Sequence, residues 1–177
     1  MKKIILFAIA VASAFLTSGC SASYQGIYLN QPSNHVYTPS RFLLVTPASG
    51  VYNNTVYPSS GPDVIAALTK ELQRYTQSVA IIPVPVTIEQ IFPQDLERTD
   101  YVIIPQILHW EDRATGWSFI PDRIEVRFDI FDNQRRFIDS YLIQGRSAYI
   151  VWVSKQPNSL LAKPIRKMLT ELFAKAQ

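Results

Sequence analysis

One cysteine, two histidines and a compact group of acidic, basic and aromatic residues hold most of the chemistry that this 177-residue chain can offer. Cys20 is the only thiol, so no internal disulfide can form, and its thiolate is available as a nucleophile. Glu111, Asp112 and Asp122 lie in one stretch with Arg113 and Arg123. Two carboxylates can divide acid and base work only when they converge on a pocket that pushes their pKa values apart. Retaining glycosidases hold theirs about 5–5.5 Å apart and inverting ones about 6.5–9.5 Å. The other reading of the same residues, and the favoured one, is a local ion-pair network that fixes a loop. Trp110, Trp117 and Phe119 could form an aromatic platform for a sugar ring or an apolar partner, or cap the edge of a core. His109 and His35 stand too far apart in sequence to form a clustered metal motif, and a structural histidine at a strand end is the simpler role. No serine occupies a nucleophile elbow and the six glycines are scattered, so neither acyl transfer nor a phosphate cradle is indicated. No catalytic residue, metal ligand or dissociable cofactor is assigned.

Cys20 gains meaning from what precedes it. Lys2-Lys3 is followed by an uncharged run from Ile4 to Leu16, 13 residues where a membrane span needs about 20. A charged start, a short oily run and small residues before a cleavage point are the parts of a secretory signal. Leu16-Thr17-Ser18-Gly19-Cys20 resembles the lipobox of bacterial lipoproteins, with Thr17 where that class most often has Leu. The resemblance implies a diacylglyceryl group and further acylation, such as palmitate, on Cys20, and cleavage after Gly19. Ser21 in place of Asp resembles the signal for delivery to the outer membrane, with the domain facing the periplasm. The formal charge of +3 falls to about +1 once Lys2 and Lys3 are removed, and no basic stripe is present, so nucleic acid is not an indicated partner.

Residues 20–40 read as the lipidated cysteine and a tether, partly docked because Tyr24, Ile27, Tyr28, Leu29, Val36 and Tyr37 are too apolar for a pure spacer. Residues 41–177 are expected to form one domain. Arg41 to Val45 reads as a strand, and a loop holding Asn53-Asn54 follows. Ser60-Gly61-Pro62-Asp63 opens an amphipathic helix carrying Val64, Ile65, Leu68, Leu72 and Tyr75. Val79 to Val86, broken by Pro83 and Pro85, is a strand at a sheet edge or an irregular one. Thr87 to Thr99 suggests a helical turn around Ile88, Ile91 and Phe92. Three antiparallel strands are then expected: Tyr101 to Trp110, Arg123 to Phe131 with Ile124, Val126, Phe128 and Ile130 on one face, and Phe137 to Val153 with a bend at Gly145. Asn158-Ser159 caps a last helix, and Pro164 either lies in its opening turns or kinks it. The order predicts an α+β two-layer sandwich, a mixed or antiparallel sheet of about five strands with two helices on one face.

The most specific internal stretch is His109-Trp110-Glu111-Asp112-Arg113-Ala114-Thr115-Gly116-Trp117, continued by Ile120-Pro121-Asp122-Arg123-Ile124-Glu125-Val126. It resembles an uncharacterised family of bacterial lipoproteins, a domain of unknown function (number 4823), over most of the chain beyond the signal. The fold this implies is similar to the N-terminal domain of the periplasmic protein TolB, a likeness of element order that says little about function. The leading expectation is a non-enzymatic, lipid-anchored envelope domain that binds or positions another envelope protein or a glycan. Trp110, Arg113, Trp117 and Phe119 are its candidate binding residues. The alternatives are a glycan-processing hydrolase using the carboxylates between Glu111 and Asp122, and a self-assembling envelope subunit.

Overall fold

The computed structural model describes residues 22–29, 40–113, 120–148 and 156–174. Cys20 and the residues before it, His35, Trp117, Phe119 and the expected strand beyond Ala148 lie outside the described residues.

Strands β1 (Ser23–Tyr28), β2 (Phe42–Val45), β5 (Val79–Ile82), β6 (Tyr101–Glu111), β7 (Arg123–Asp132) and β8 (Phe137–Arg146) form one six-stranded sheet, ordered β1-β8-β7-β6-β2-β5. The pairs β1/β8, β8/β7 and β7/β6 are antiparallel, while β2 runs parallel to both β5 and β6. Helices α1 (Ser60–Leu72) and α3 (Ala162–Ala174) cover one face, and the α+β sandwich with a mixed sheet is as expected. The sixth strand, β1, comes from the stretch read as a partly docked tether. Its Tyr24 and Tyr28 turn toward the core while Ser23, Gln25 and Ile27 face water.

The helix-bearing face is apolar because side chains on a strand alternate. Ile124, Val126, Phe128 and Ile130 of β7 are each at most 2% exposed and meet Leu68 and Leu72 of α1 and Ile165, Met168 and Leu169 of α3. Each such side chain, removed fully from water, contributes about 1.5–3 kcal/mol. Pro62 and Asp63 occupy the first turn of α1. Buried Ser60 donates to the Tyr57 carbonyl at 2.6 Å and accepts the Gly50 N–H at 2.7 Å. The two helices are joined by an ion pair. Glu71, whose side chain is 2% exposed, accepts from Nε and Nη2 of Arg166 at 2.9 and 3.0 Å.

The opposite face is divided. Over β2 and the start of β6 it is closed by a 3₁₀ turn (Ile88–Gln90) and helix α2 (Pro93–Glu97), which bury Ile88, Ile91 and Leu96 against Leu43, Val45, Val102 and Ile104. Over β8, β7 and the rest of β6 it is polar. β5 is an outer strand and ends where Pro83 begins, as its prolines require. Pro105 is tolerated in β6 because the pairing with β2 has ended at Ile103.

Three departures have local causes. Asn53 and Asn54 take φ of 46° and 65°, which closes a hairpin of β3 (Gly50–Tyr52) and β4 (Thr55–Tyr57) where a loop was expected. β8 breaks at Arg146, where Ser147 leaves the ladder to bond Asp122, and the expected continuation to Val153 lies outside the described residues beyond Ala148. The last helix starts four residues after Asn158, preceded by a 3₁₀ turn (Pro157–Leu160), with Pro164 in its first turn, where the missing N–H is harmless.

Candidate functional site

The signature stretch is the end of β6, a connection and the start of β7. A register shift between Ile107 and His109 turns Trp110 to the helix side and sends His109 and Glu111 to the other. Trp110 is 2% exposed and belongs to the main core, so this indole is not available as a binding platform. The β3 hairpin lies on it so closely that a Cβ at Gly50 would stand 2.5 Å from the Trp110 Cβ.

Glu111 is the hub. It is 1% exposed, and its carboxylate has two charged or polar neighbours: Oε2 lies 3.0 Å from His109 Nε2, and Oε1 pairs with the Arg113 guanidinium. Tyr52, from the tip of the hairpin, closes this group. Its ring meets the His109 ring edge-on at 5.0 Å and carries the Arg113 guanidinium 5.1 Å from its centre. Asp122 is buried and accepts the Arg113 backbone N–H at 2.8 Å, so it bridges the two ends of the connection. Ser147 completes the closure: its Oγ accepts the Asp122 N–H at 2.9 Å, and its own N–H donates to the Asp122 carbonyl at 3.0 Å. Asp112 is exposed.

Of the four sequence-derived binding residues, the structure thus places Trp110 inside and Arg113 at the surface over Tyr52, while Trp117 and Phe119 lie outside the described residues. Glu111 and Asp122 belong to a network that shapes the connection. Tyr52 and Ser147 were missed. They come from distant elements and carry no motif; only the Asn-Asn turn signal could have drawn attention to Tyr52.

Two grooves flank this network. One, of about 400 Å³, lies on the polar sheet face beside His109 and is lined by Ser23, Gln25, Arg123, Glu125, Gln144 and Arg146. Arg123 and Arg146 are cross-strand partners there, and Ser23 pairs with Arg146 from the other side. The second, of about 410 Å³, lies past the carboxyl ends of β2 and β5, with Pro47, Val86, Ile88 and Ile107 on its walls. Its two acids, Glu89 and Asp129, are both occupied. The Ser140 hydroxyl donates to Asp129 at 2.6 Å, and a bond from Thr87 holds the Glu89 carboxyl below its ordinary range. Among the described residues there is no cluster of three or more metal-ligating side chains, and no helix long and apolar enough to cross a membrane.

The fold has solved counterparts. The PelC dodecamer from Paraburkholderia phytofirmans matches with a TM-score of 0.60 and 14% identity over 82% of this chain and 95% of that one. A second dodecamer structure, of a PelC point variant from the same organism, gives 0.62 and 14% over 85% and 98%. At this identity the likeness concerns the fold alone. A minor lipoprotein from Acinetobacter baumannii also matches, with 14% identity over 76% of this chain and 94% of that one, but its TM-score of 0.39 supports no argument. The likeness to the TolB N-terminal domain is not tested by these matches. No curated protein matches the sequence. The family model of a domain of unknown function, DUF4823, matches residues 35–172, which contain the Glu111–Asp122 network and both strands it joins, and the chain belongs to that family.

Proposed function

We propose that this chain is a lipid-anchored bacterial envelope lipoprotein, placed at the outer membrane through acylated Cys20, whose domain is a non-enzymatic binding or accessory module. The Leu16–Cys20 segment carries the reading: a single thiol, preceded by small residues and an oily run too short to span, is the substrate that lipid attachment requires. The carboxylates support the non-enzymatic part. Glu111 and Asp122 are both buried and committed to Arg113, and Glu111 also to His109, which leaves them as ties for the connection rather than an acid–base pair. The glycan-hydrolase alternative would need them converging on a substrate. Intact-mass measurement of protein purified from its own host tests the anchor, with loss of residues 1–19 and an acyl increment on Cys20 expected. Met1 retained with no increment overturns it. For the binding part, partners captured from detergent-solubilised envelopes should differ between native protein and Trp117→Ala; identical profiles remove that residue from the site.

A second reading, self-assembly, is favoured by one observation: PelC, whose fold this chain shares, is a dodecamer. Here β1 and β5 are the outer strands of the sheet among the described residues, the edges that a neighbouring copy could extend. Native mass spectrometry in detergent should then show species above the monomer, and monomer alone refutes it.

A further inference from the structure

The chain itself limits how far the domain stands from its anchor. Ala22 is already packed against the main core and Ser23 is already paired with Arg146, so Ser21 alone separates the folded domain from Cys20. Two Cα steps of about 3.8 Å place Cys20 within roughly 8 Å of Ala22. A free 20-residue tether would have allowed a reach of roughly 25 Å. Acyl chains on Cys20 therefore draw one particular end of the sheet to the bilayer surface, and this inference rests on the lipid-anchor reading above.

That end is cationic. Its last rung across the sheet runs Ser23, Arg146, Arg123, Glu111. Two guanidinium groups opposite one another on neighbouring strands repel, an arrangement that sheets ordinarily avoid. Glu111, which shares the rung, is committed to His109 and Arg113, and Arg123 is exposed and forms no ion pair among the described residues. Lys163, at the start of α3, adds a third cation at the same end, 5.4 Å from the centre of the Tyr24 ring. Facing them are exposed Asp112 and, one rung in, half-buried Glu125. Phosphate oxygens match the guanidinium fork, and an anionic surface attracts each nearby cation by about fivefold in occupancy.

We propose that the end of the sheet formed by Ser23, Arg123 and Arg146 sits on anionic phospholipid, with exposed Arg123 taking a headgroup phosphate, Arg146 adding its charge, and the strands standing away from the bilayer. β7 gives the scale: ten residues at about 3.3 Å put Asp132 roughly 30 Å above Arg123.

The mature protein is reconstituted into vesicles of phosphatidylcholine, alone or with phosphatidylglycerol, after intact mass has been recorded. Ile120→Cys and Asn133→Cys, which flank β7, are labelled with a fluorophore; acylated Cys20 does not react. Headgroup nitroxide lipids should quench the label at 120 several-fold more than the label at 133. The contrast should grow with phosphatidylglycerol, and Arg123→Gln with Arg146→Gln should remove that growth. Exposed Arg123→Gln alone, with thermal melts, guards against misfolding and should remove part of it. Equal quenching of the two labels on acylated protein overturns the proposal and leaves the anchor standing. A contrast indifferent to lipid charge and to both arginine variants overturns it too. Absence of the acyl mass overturns the anchor reading, and this proposal with it.

Discussion

Gly26→Ala tests whether β1 is a working strand of the sheet or a passing contact. A Cβ at Gly26 would overlap the Tyr141 hydroxyl and come within 2.8 Å of the ring Cζ, because that ring lies directly over the β1 backbone. Tyr141 is 0% exposed, so it has nowhere to retreat. Overpacking of this kind costs about 1–3 kcal/mol, and at about 2–4 °C per kcal/mol for a chain of this size the melting temperature should fall by roughly 3–10 °C. Tyr141 supplies the control. Its hydroxyl is buried without a hydrogen-bond partner, and burial pushes its pKa up to about 12, so it stays protonated throughout the assay. Tyr141→Phe deletes an unsatisfied group and should leave stability unchanged or raise it by under about 1 kcal/mol. In that background Gly26→Ala should cost less, with a coupling of about 1 kcal/mol, though Cζ remains close enough to prevent full recovery. Thermal unfolding of all four proteins by circular dichroism gives the cycle, and proteolysis between Ala22 and Tyr28 reports on β1 directly. A Gly26→Ala protein that melts within 1 °C of the parent, with β1 still protected, refutes the packing and the short anchor distance that follows from it.

Glu71→Gln should cost about 1–2 kcal/mol in urea unfolding at pH 7, below the usual figure for a buried pair because Arg166 and Arg74 are each about half exposed. Bonds from Arg166 hold the Glu71 carboxyl below its ordinary range. A lowered folded value makes its contribution full above the unfolded value near about 4.3 and lost as pH falls through the folded one. The parent-to-variant difference should therefore shrink by pH 3, and an unchanged difference counts against the pair. Glu111→Ala should cost about 2–4 kcal/mol and speed amide exchange at Arg113, since His109 and Arg113 lose their shared acceptor; unchanged exchange at Arg113 would show that Glu111 does not hold the connection. Asn54→Gly should raise the melting temperature by 1–2 °C, about 0.5 kcal/mol, because φ is 65° there and glycine meets it without strain; a fall would mean that the Asn54 side chain matters more than its backbone.

The parts of the fold that were legible in the sequence are those whose burial repeats with a period. β7 shows every second residue buried at Ile124, Val126 and Phe128, and α1 shows Val64, Ile65, Leu68 and Leu72 on one stripe. Each pattern has one periodic explanation. β1 lacked such a signal, since apolar Ile27 faces water and inward Gly26 is small to admit Tyr141, a residue more than a hundred positions away. The β3 hairpin escaped because its strands are three residues each and its turn uses Asn-Asn rather than Asn-Gly. At the site, the ion-pair reading of Glu111 and Arg113 could be drawn from neighbouring charges. Their cover by Tyr52 and the tie from Asp122 to Ser147 are tertiary facts that no local spacing encodes.

The most distinctive stretch of the sequence is therefore also the most structurally committed. His109, Glu111 and the Arg113 side chain secure the strand end, Trp110 fills the core, and Asp122 closes the connection onto Arg113 and Ser147. Such a set makes a sharp signature because its members pack and pair with one another, and a buried charge left unpaired costs far more than an exposed one. Specificity of sequence here is that of a rigidly held strand end. What the network presents is the end of the sheet where β1 begins and where Arg123 and Arg146 face each other. With the chain leaving that same rung toward Cys20, rigidity becomes useful in a way that a flexible tether would not allow. With Cys20 acylated as proposed, a sheet end fixed within a few ångströms of its anchor would hold one orientation to the bilayer, and so offer the same opposite end to the periplasm in every copy.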